Sequence, residues 1–208
     1  MKSKMLNSAV IVISLFCSFT GSCALAQEYK PVQFSGLIND YSPSSTSVKG
    51  SPLEMHGQWS MDLHPERGTA DFAADMTMSG YGTTSSGAVD PTKPLVNPHT
   101  HHIRLTNVRI TWDIIGCPTF LPPATTTGFQ VNGTVSLLTG NGSIAPFETD
   151  PPSSTLQVCV TGGNETPYSI QNSNITLVFG GPATTHFGPQ AIHGVVRKPL
   201  SNSVWNGR

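Results

Sequence analysis

The sequence predicts an all-β fold: a single antiparallel domain, either a β-sandwich or a small β-barrel, of about seven or eight strands. Three observations predict it. Charged residues make up 11% of the chain, against about 25% in an average soluble domain. Ser, Thr, Asn and Gly fill the polar positions, where exposed helix faces would carry Glu and Lys at paired spacings. Short β-branched or aromatic runs recur between clusters of Gly, Pro and Asn, and no window of helical length keeps a 3.6-residue apolar period free of Gly and Pro.

In chain order, Lys2 and Lys4, the apolar run from Ala9 to Phe19 and the small-x-small triplet Ala24-Leu25-Ala26 predict an export signal spanning residues 1–26. Ser14, Cys17 and Ser18 interrupt the run, which is too short to span a membrane. The expected location is therefore periplasmic or secreted. Lipid attachment at Cys23 is the weaker alternative, because Thr20 stands where such sites usually carry an aliphatic residue. Residues 27–50, rich in Ser and Pro, read as a loosely ordered leading segment with a short edge strand at Val32-Gln33-Phe34, and residues 51–208 as the one β domain.

Two of the eleven basic residues and none of the twelve acidic ones fall in the leader, so the remainder carries a formal charge of −3. That balance excludes a nucleic-acid footprint, which needs a clustered basic surplus.

The first strand pair is the clearest. Met55, Trp59, Met61 and Leu63 alternate with His56, Gln58, Ser60, Asp62 and His64. After His64-Pro65-Glu66-Arg67-Gly68, Ala70, Phe72, Ala74, Met76 and Met78 alternate with Asp71, Asp75 and Thr77. Period-two alternation on both sides of a Pro/Gly loop predicts a hairpin with one core face. Residues 79–98 form a long Gly/Ser/Thr/Pro loop. The next strand follows, and its apolar parity slips between Ile103/Leu105 and Val108/Ile110/Trp112, which a β-bulge at Thr106-Asn107 or burial on both faces would explain. Further strands are expected around 128–139, with Asn132-Gly133 as a bulge or turn, then 156–160, 175–179 and 191–196, with Asn141-Gly142 as another turn. Trp59 and Trp112 lie on apolar parities and read as core; Trp205 has no such context.

Cys117 and Cys159 are the cysteines left after the leader. In an oxidising compartment they predict one disulfide closing a 42-residue separation. Free thiols or metal ligands are the rival, weakened because neither lies in a Cys-x-x-Cys or Cys-His pair.

Three of the seven histidines sit in Asn97-Pro98-His99-Thr100-His101-His102. On an extended strand His99 and His101 project from one face about 7 Å apart, with His102 on the other. Imidazoles so placed suit zinc or copper. Two ligands do not make a tight site, and His186 and His193, flanking Gly188-Pro189, are the best third and fourth. His56 and His64 cannot both join, being separated by about 26 Å of strand.

The plainer reading makes these histidines half-exposed strand residues engaged in hydrogen bonds. A further one places a small-molecule or glycan ligand, without metal, at a rim lined by His99, His101, His102 and His186. Proton transfer from His101 or His102 to Asp62, Asp75 or Asp113 has no spacing to select the partner, and no Gly-x-Ser-x-Gly elbow is present. The leading expectation is a non-catalytic binding or structural protein of the envelope or extracellular space. The alternative is a zinc or copper enzyme using the His-x-His strand.

Overall fold

The computed structural model describes residues 32–42, 53–118, 126–142, 154–163 and 174–199. The expected signal peptide, Cys23 and Trp205 lie outside them. Its strands are β1 (Val32–Ser42), β2 (Leu53–His64), β3 (Thr69–Gly80), β4 (Val96–Thr111), β5 (Thr126–Thr134), β6 (Leu137–Leu138), β7 (Asn141–Gly142), β8 (Thr155–Gly163), β9 (Asn174–Gly180) and β10 (Ile192–Pro199). One short helix, α1 (Thr184–Phe187), lies between β9 and β10.

Eight strands run β1-β2-β3-β4-β5-β8-β9-β10, every pair is antiparallel, and β10 returns to β1. The sheet therefore closes, and the architecture is an up-and-down barrel and not a sandwich, with no free edge among the eight. An eight-stranded barrel is just wide enough for its own side chains to fill. Here large residues face small ones: Trp59 pairs with Ala74, and Leu63 with Ala70. All four are at most 2% exposed. The outward positions on the same strands are polar, among them Gln58, Ser60, Asp75 and Thr77, the reverse of a lipid-facing barrel. No helix among the described residues is long and apolar enough to cross a membrane.

β1 corrects the expected domain boundary. The barrel begins at Val32, not at residue 51, and β1 is an eleven-residue strand paired along both sides, not a short edge. Its inward row, Phe34-Gly36-Ile38, is too sparse in large apolar residues to announce itself, yet Phe34 and Ile38 are core.

β4 is the longest strand, and two bulges divide it. Ala70 pairs with Val108 but Phe72 with Leu105, so β4 holds one extra residue at Thr106-Asn107. Met78 pairs with His99 but Gly80 with Val96, which places a second extra residue at Asn97-Pro98. Asn107 (φ 54°) and Asn97 (φ 46°) are the only non-glycine residues in the left-handed region among those described, where asparagine is tolerated better than most. The first bulge is the parity slip seen in the sequence. The second admits Pro98, whose missing N–H a regular ladder would not accept.

Along the other side of β4, β5, β6 and β7 hold one register: Val131 opposes Ile110, Leu138 opposes Ile103 and Gly142 opposes His99. They are one interrupted strand. Asn132 and Gly133 therefore make neither turn nor bulge; both stay paired to β8. Gly133 is required because a Cβ there would lie 2.5 Å from Cγ1 of Val108. Asn141-Gly142, likewise expected as a turn, is the β7 pairing itself.

Cys117 and Cys159 form a disulfide with Cα atoms 6.0 Å apart. It ties the segment after β4 to the outer face of β8. Gln130 holds the same segment, donating from Nε2 to Asp113 Oδ1 (3.1 Å) and to the Ile115 carbonyl (2.9 Å). Trp112 departs from its expected core position: it is 56% exposed. β4 ends at Thr111, so the indole lies past the barrel end and covers Phe129 from outside, ring centroids 5.6 Å apart.

Candidate metal centre

β4 starts where β9 ends, because antiparallel neighbours alternate direction around the barrel. His99 and His101, inward on β4, therefore meet whatever the β9–β10 connection brings across that mouth. The connection is short. A 3-10 turn, Gly181–Ala183 with Pro182 in its first turn, leads into α1, which Gly188 (φ 83°) ends. Phe187, fully buried, stacks on Phe179 of β9 with centroids 4.2 Å apart and planes 11° apart. That stack anchors the cap and sets the preceding residue, His186, against the two strand histidines.

The three imidazoles converge. Nε2 of His186 lies 3.1 Å from Nε2 of His99 and 2.9 Å from Nε2 of His101. Their ligand atoms all lie within 4.8 Å of one another, and no other described His, Cys, Asp or Glu completes a group of this kind. His99, His101 and His186 are 8%, 0% and 7% exposed, so the half-exposed reading does not apply to them. Three nitrogens around one tetrahedral ion at 2.0–2.1 Å would be about 3.4 Å apart; the two spacings to His186, 3.1 and 2.9 Å, are somewhat shorter, and all three nitrogens lie within 4.8 Å of one another.

The opposite nitrogens fix what the converging ones are. Nδ1 of His99 is 2.7 Å from the Asn97 carbonyl, and Nδ1 of His101 is 2.7 Å from the Thr139 carbonyl. A carbonyl only accepts, so both Nδ1 atoms carry the hydrogen, and in that tautomer a neutral ring turns its Nε2 lone pair inward. Burial above all, then the neighbouring histidines, pushes the His101 imidazole down to about 3, and burial with His99 beside it pushes His186 down to about 4. The His101 and His186 rings are neutral near pH 7. His186 Nε2 has at most one hydrogen to offer two lone pairs, whereas a cation satisfies all three nitrogens together.

No protein-family model, curated protein sequence or solved structure matches this chain.

The remaining histidines stand apart, each against a carboxylate. His102, expected at the rim, is on the outer wall, its Nδ1 2.8 Å from Asp75 Oδ1, to which Arg104 also donates at 3.0 Å. His193, expected as a fourth ligand, pairs through Nδ1 with Asp40 Oδ2 at 2.8 Å and does not join the three. The cause is the fold: His193 lies on β10 itself, beyond the cap that carries His186. His56 contacts Glu54 at 2.7 Å and His64 contacts Asp71 at 3.1 Å. Of the proposed proton-transfer partners, Asp75 meets His102, while Asp113 caps its own loop through the Ile115 N–H at 3.0 Å. The carbonyls of Asn97 and Thr139, which orient the ligands, carry no signal a sequence could give.

Proposed function

We propose that this chain is a metal-binding barrel protein that holds one zinc or copper ion on Nε2 of His99, His101 and His186. The observation that carries the reading is the pair of carbonyls fixing hydrogens on Nδ1 of His99 and His101, which leaves lone pairs facing one another in a buried pocket. Metal-ligating histidines commonly have such a partner on the far nitrogen, setting tautomer and ring orientation. Bound there, the ion would supply Lewis acidity, and three imidazoles leave a further coordination position. The chain's own part is to fix two ligands on a strand held between two bulges, to bring the third on the cap, and to exclude water with Phe179 and Phe187. Holding an ion needs no catalysis, so the reading is of a binding protein, exported if the leader acts as its sequence predicts.

The test is metal content by mass spectrometry on untagged protein, followed by titration with Zn(II) and, anaerobically, with Cu(I). One equivalent bound by the wild type, lost in His101→Ala and retained in His102→Ala, is the expected outcome. A wild-type protein that takes up neither ion overturns the reading.

A further inference from the structure

We propose that the ion is cuprous copper and that the thioether sulfur of Met78 is its fourth ligand, an inference that rests on the metal-binding reading above. Two observations point to it.

The first is register. Met78 on β3 is directly opposite His99 on β4, and both side chains are turned into the lumen, Met78 0% and His99 8% exposed. Directly opposed residues have Cβ atoms about 4.5–5.5 Å apart, and the methionine sulfur is two bonds beyond Cβ on a flexible stem. Met76, opposite His101, is placed differently. It faces Gly57 on its other side, and a Cβ at Gly57 would come within 3.0 Å of Met76 Cγ. Cγ of Met76 thus lies over the glycine, on the side of β2. Met78 has no such space, since its β2 partner is Met55, itself 1% exposed.

The second is charge. No described carboxylate or thiolate joins the three histidines, and the surroundings are aromatic, with Phe187 4.8 Å from His101 and 5.0 Å from His186 between centroids. The cost of burying an ion among neutral, apolar groups grows with the square of its charge. A monovalent ion therefore suits this pocket better than a divalent one. Thioether and imidazole together are the donor set that selects Cu(I), while zinc favours nitrogen, thiolate and carboxylate. With sulfur in the fourth position the ion is enclosed, which fits a copper-holding protein better than a hydrolytic site.

The experiment measures Cu(I) affinity anaerobically by competition with a chromophoric Cu(I) chelator, and Zn(II) affinity in parallel, for the wild type, Met78→Leu and Met76→Leu. Leucine nearly conserves the volume, so the core is kept. Met78→Leu should weaken Cu(I) binding tenfold or more and leave Zn(II) within about threefold. Met76→Leu should change neither. A sulfur scatterer in the copper absorption-edge spectrum should be present in the wild type and absent in Met78→Leu. If the wild type binds Zn(II) but Cu(I) affinity and the sulfur signal survive Met78→Leu, the inference falls and the metal-binding reading stands. Loss in Met76→Leu instead of Met78→Leu also overturns it. Failure to bind either ion removes the metal-binding reading itself.

Discussion

His101 Nδ1 donates to the carbonyl of Thr139 at 2.7 Å, across the gap between β6 and β7. Thr139 also accepts from below: its side-chain oxygen takes the backbone N–H of His102 at 3.2 Å. The break in the β5–β6–β7 strand thus serves the site, since a continuous ladder would have directed that carbonyl to the backbone of β4. The expected result in metal-free protein near pH 7 is that ¹⁵N-edited NMR finds a hydrogen on Nδ1 of both His99 and His101, and His101 as the neutral Nδ1–H tautomer. Finding either ring as the Nε2–H tautomer would contradict the arrangement from which the metal reading is drawn.

Metal binding should register as stability. A ligand that binds only the folded state at about 100 times its Kd adds about 2.7 kcal/mol, and for a domain of this size each kcal/mol moves Tm by about 2–4 °C. Saturating metal should therefore raise Tm by about 5–10 °C, reversed by a chelator. His186→Ala should show no such rise, while His193→Ala should respond like the wild type, because His193 is engaged with Asp40 instead.

Acid should destabilise the metal-free protein in a specific window. The folded-state values of His101 and His186 are lowered to about 3 and about 4 from an ordinary 6.5. Between those limits the unfolded chain binds protons that the folded chain refuses, so stability is complete above about pH 6.5 and falls as the pH drops. The loss should amount to several kcal/mol by pH 4. Urea unfolding of wild type and His101→Gln across pH 7 to 4.5 checks this, and parallel curves for the two proteins would refute it. The carboxylates enter lower. The hydrogen bond from His102, with Arg104 beside it, lowers Asp75 below 3.8, so its small contribution disappears only as the pH falls through the carboxylate range.

Breaking the disulfide should cost about 2–4 kcal/mol, read as a lower urea midpoint in Cys117→Ser/Cys159→Ser. The bond lies on the outer face of the barrel, and metal affinity in the double variant should stay within about threefold of wild type. A large loss of affinity would show that the segment it tethers, from Trp112 to Cys117, acts on the opposite mouth of the barrel.

The fold was legible where alternation was strict. The β2–β3 hairpin has an apolar residue at almost every second position, and its pairing from Glu54↔Ser79 to His64↔Thr69 follows that pattern. β1 was legible only as a short edge at Val32-Gln33-Phe34, because Gly36 breaks the inward row and Ser35, Asn39 and Asp40 interrupt the apolar residues around it. Closure was hidden too, since sandwich and barrel share the same alternation and differ only in whether β10 meets β1. At the site, the two-residue spacing of His99 and His101 gave one shared face. His186 followed because Gly188 and Pro189 mark a connection between strands. His193 does not join the three, since a strand residue one connection further on is directed by its own register. Met78, proposed as a donor, is indistinguishable in sequence from any core methionine of the hairpin.

Asn97 gives the sharpest separation of backbone from side chain. Its φ of 46° makes the bulge, and its carbonyl holds Nδ1 of His99, while its own Oδ1 is buried without a hydrogen-bond partner among the described residues. Glycine adopts that φ freely, so Asn97→Gly should keep the bulge, the carbonyl and the metal affinity to within about threefold. Valine is β-branched and poorly tolerated there; Asn97→Val should cost about 1–2 kcal/mol in stability. By displacing the carbonyl behind His99 it should also weaken metal binding by about 10–100-fold. Equal metal affinity in the two variants would mean that the carbonyl does not position the ligand. Weakening in both would assign the effect to the Asn97 side chain, whose unpaired oxygen would then be acting in the site.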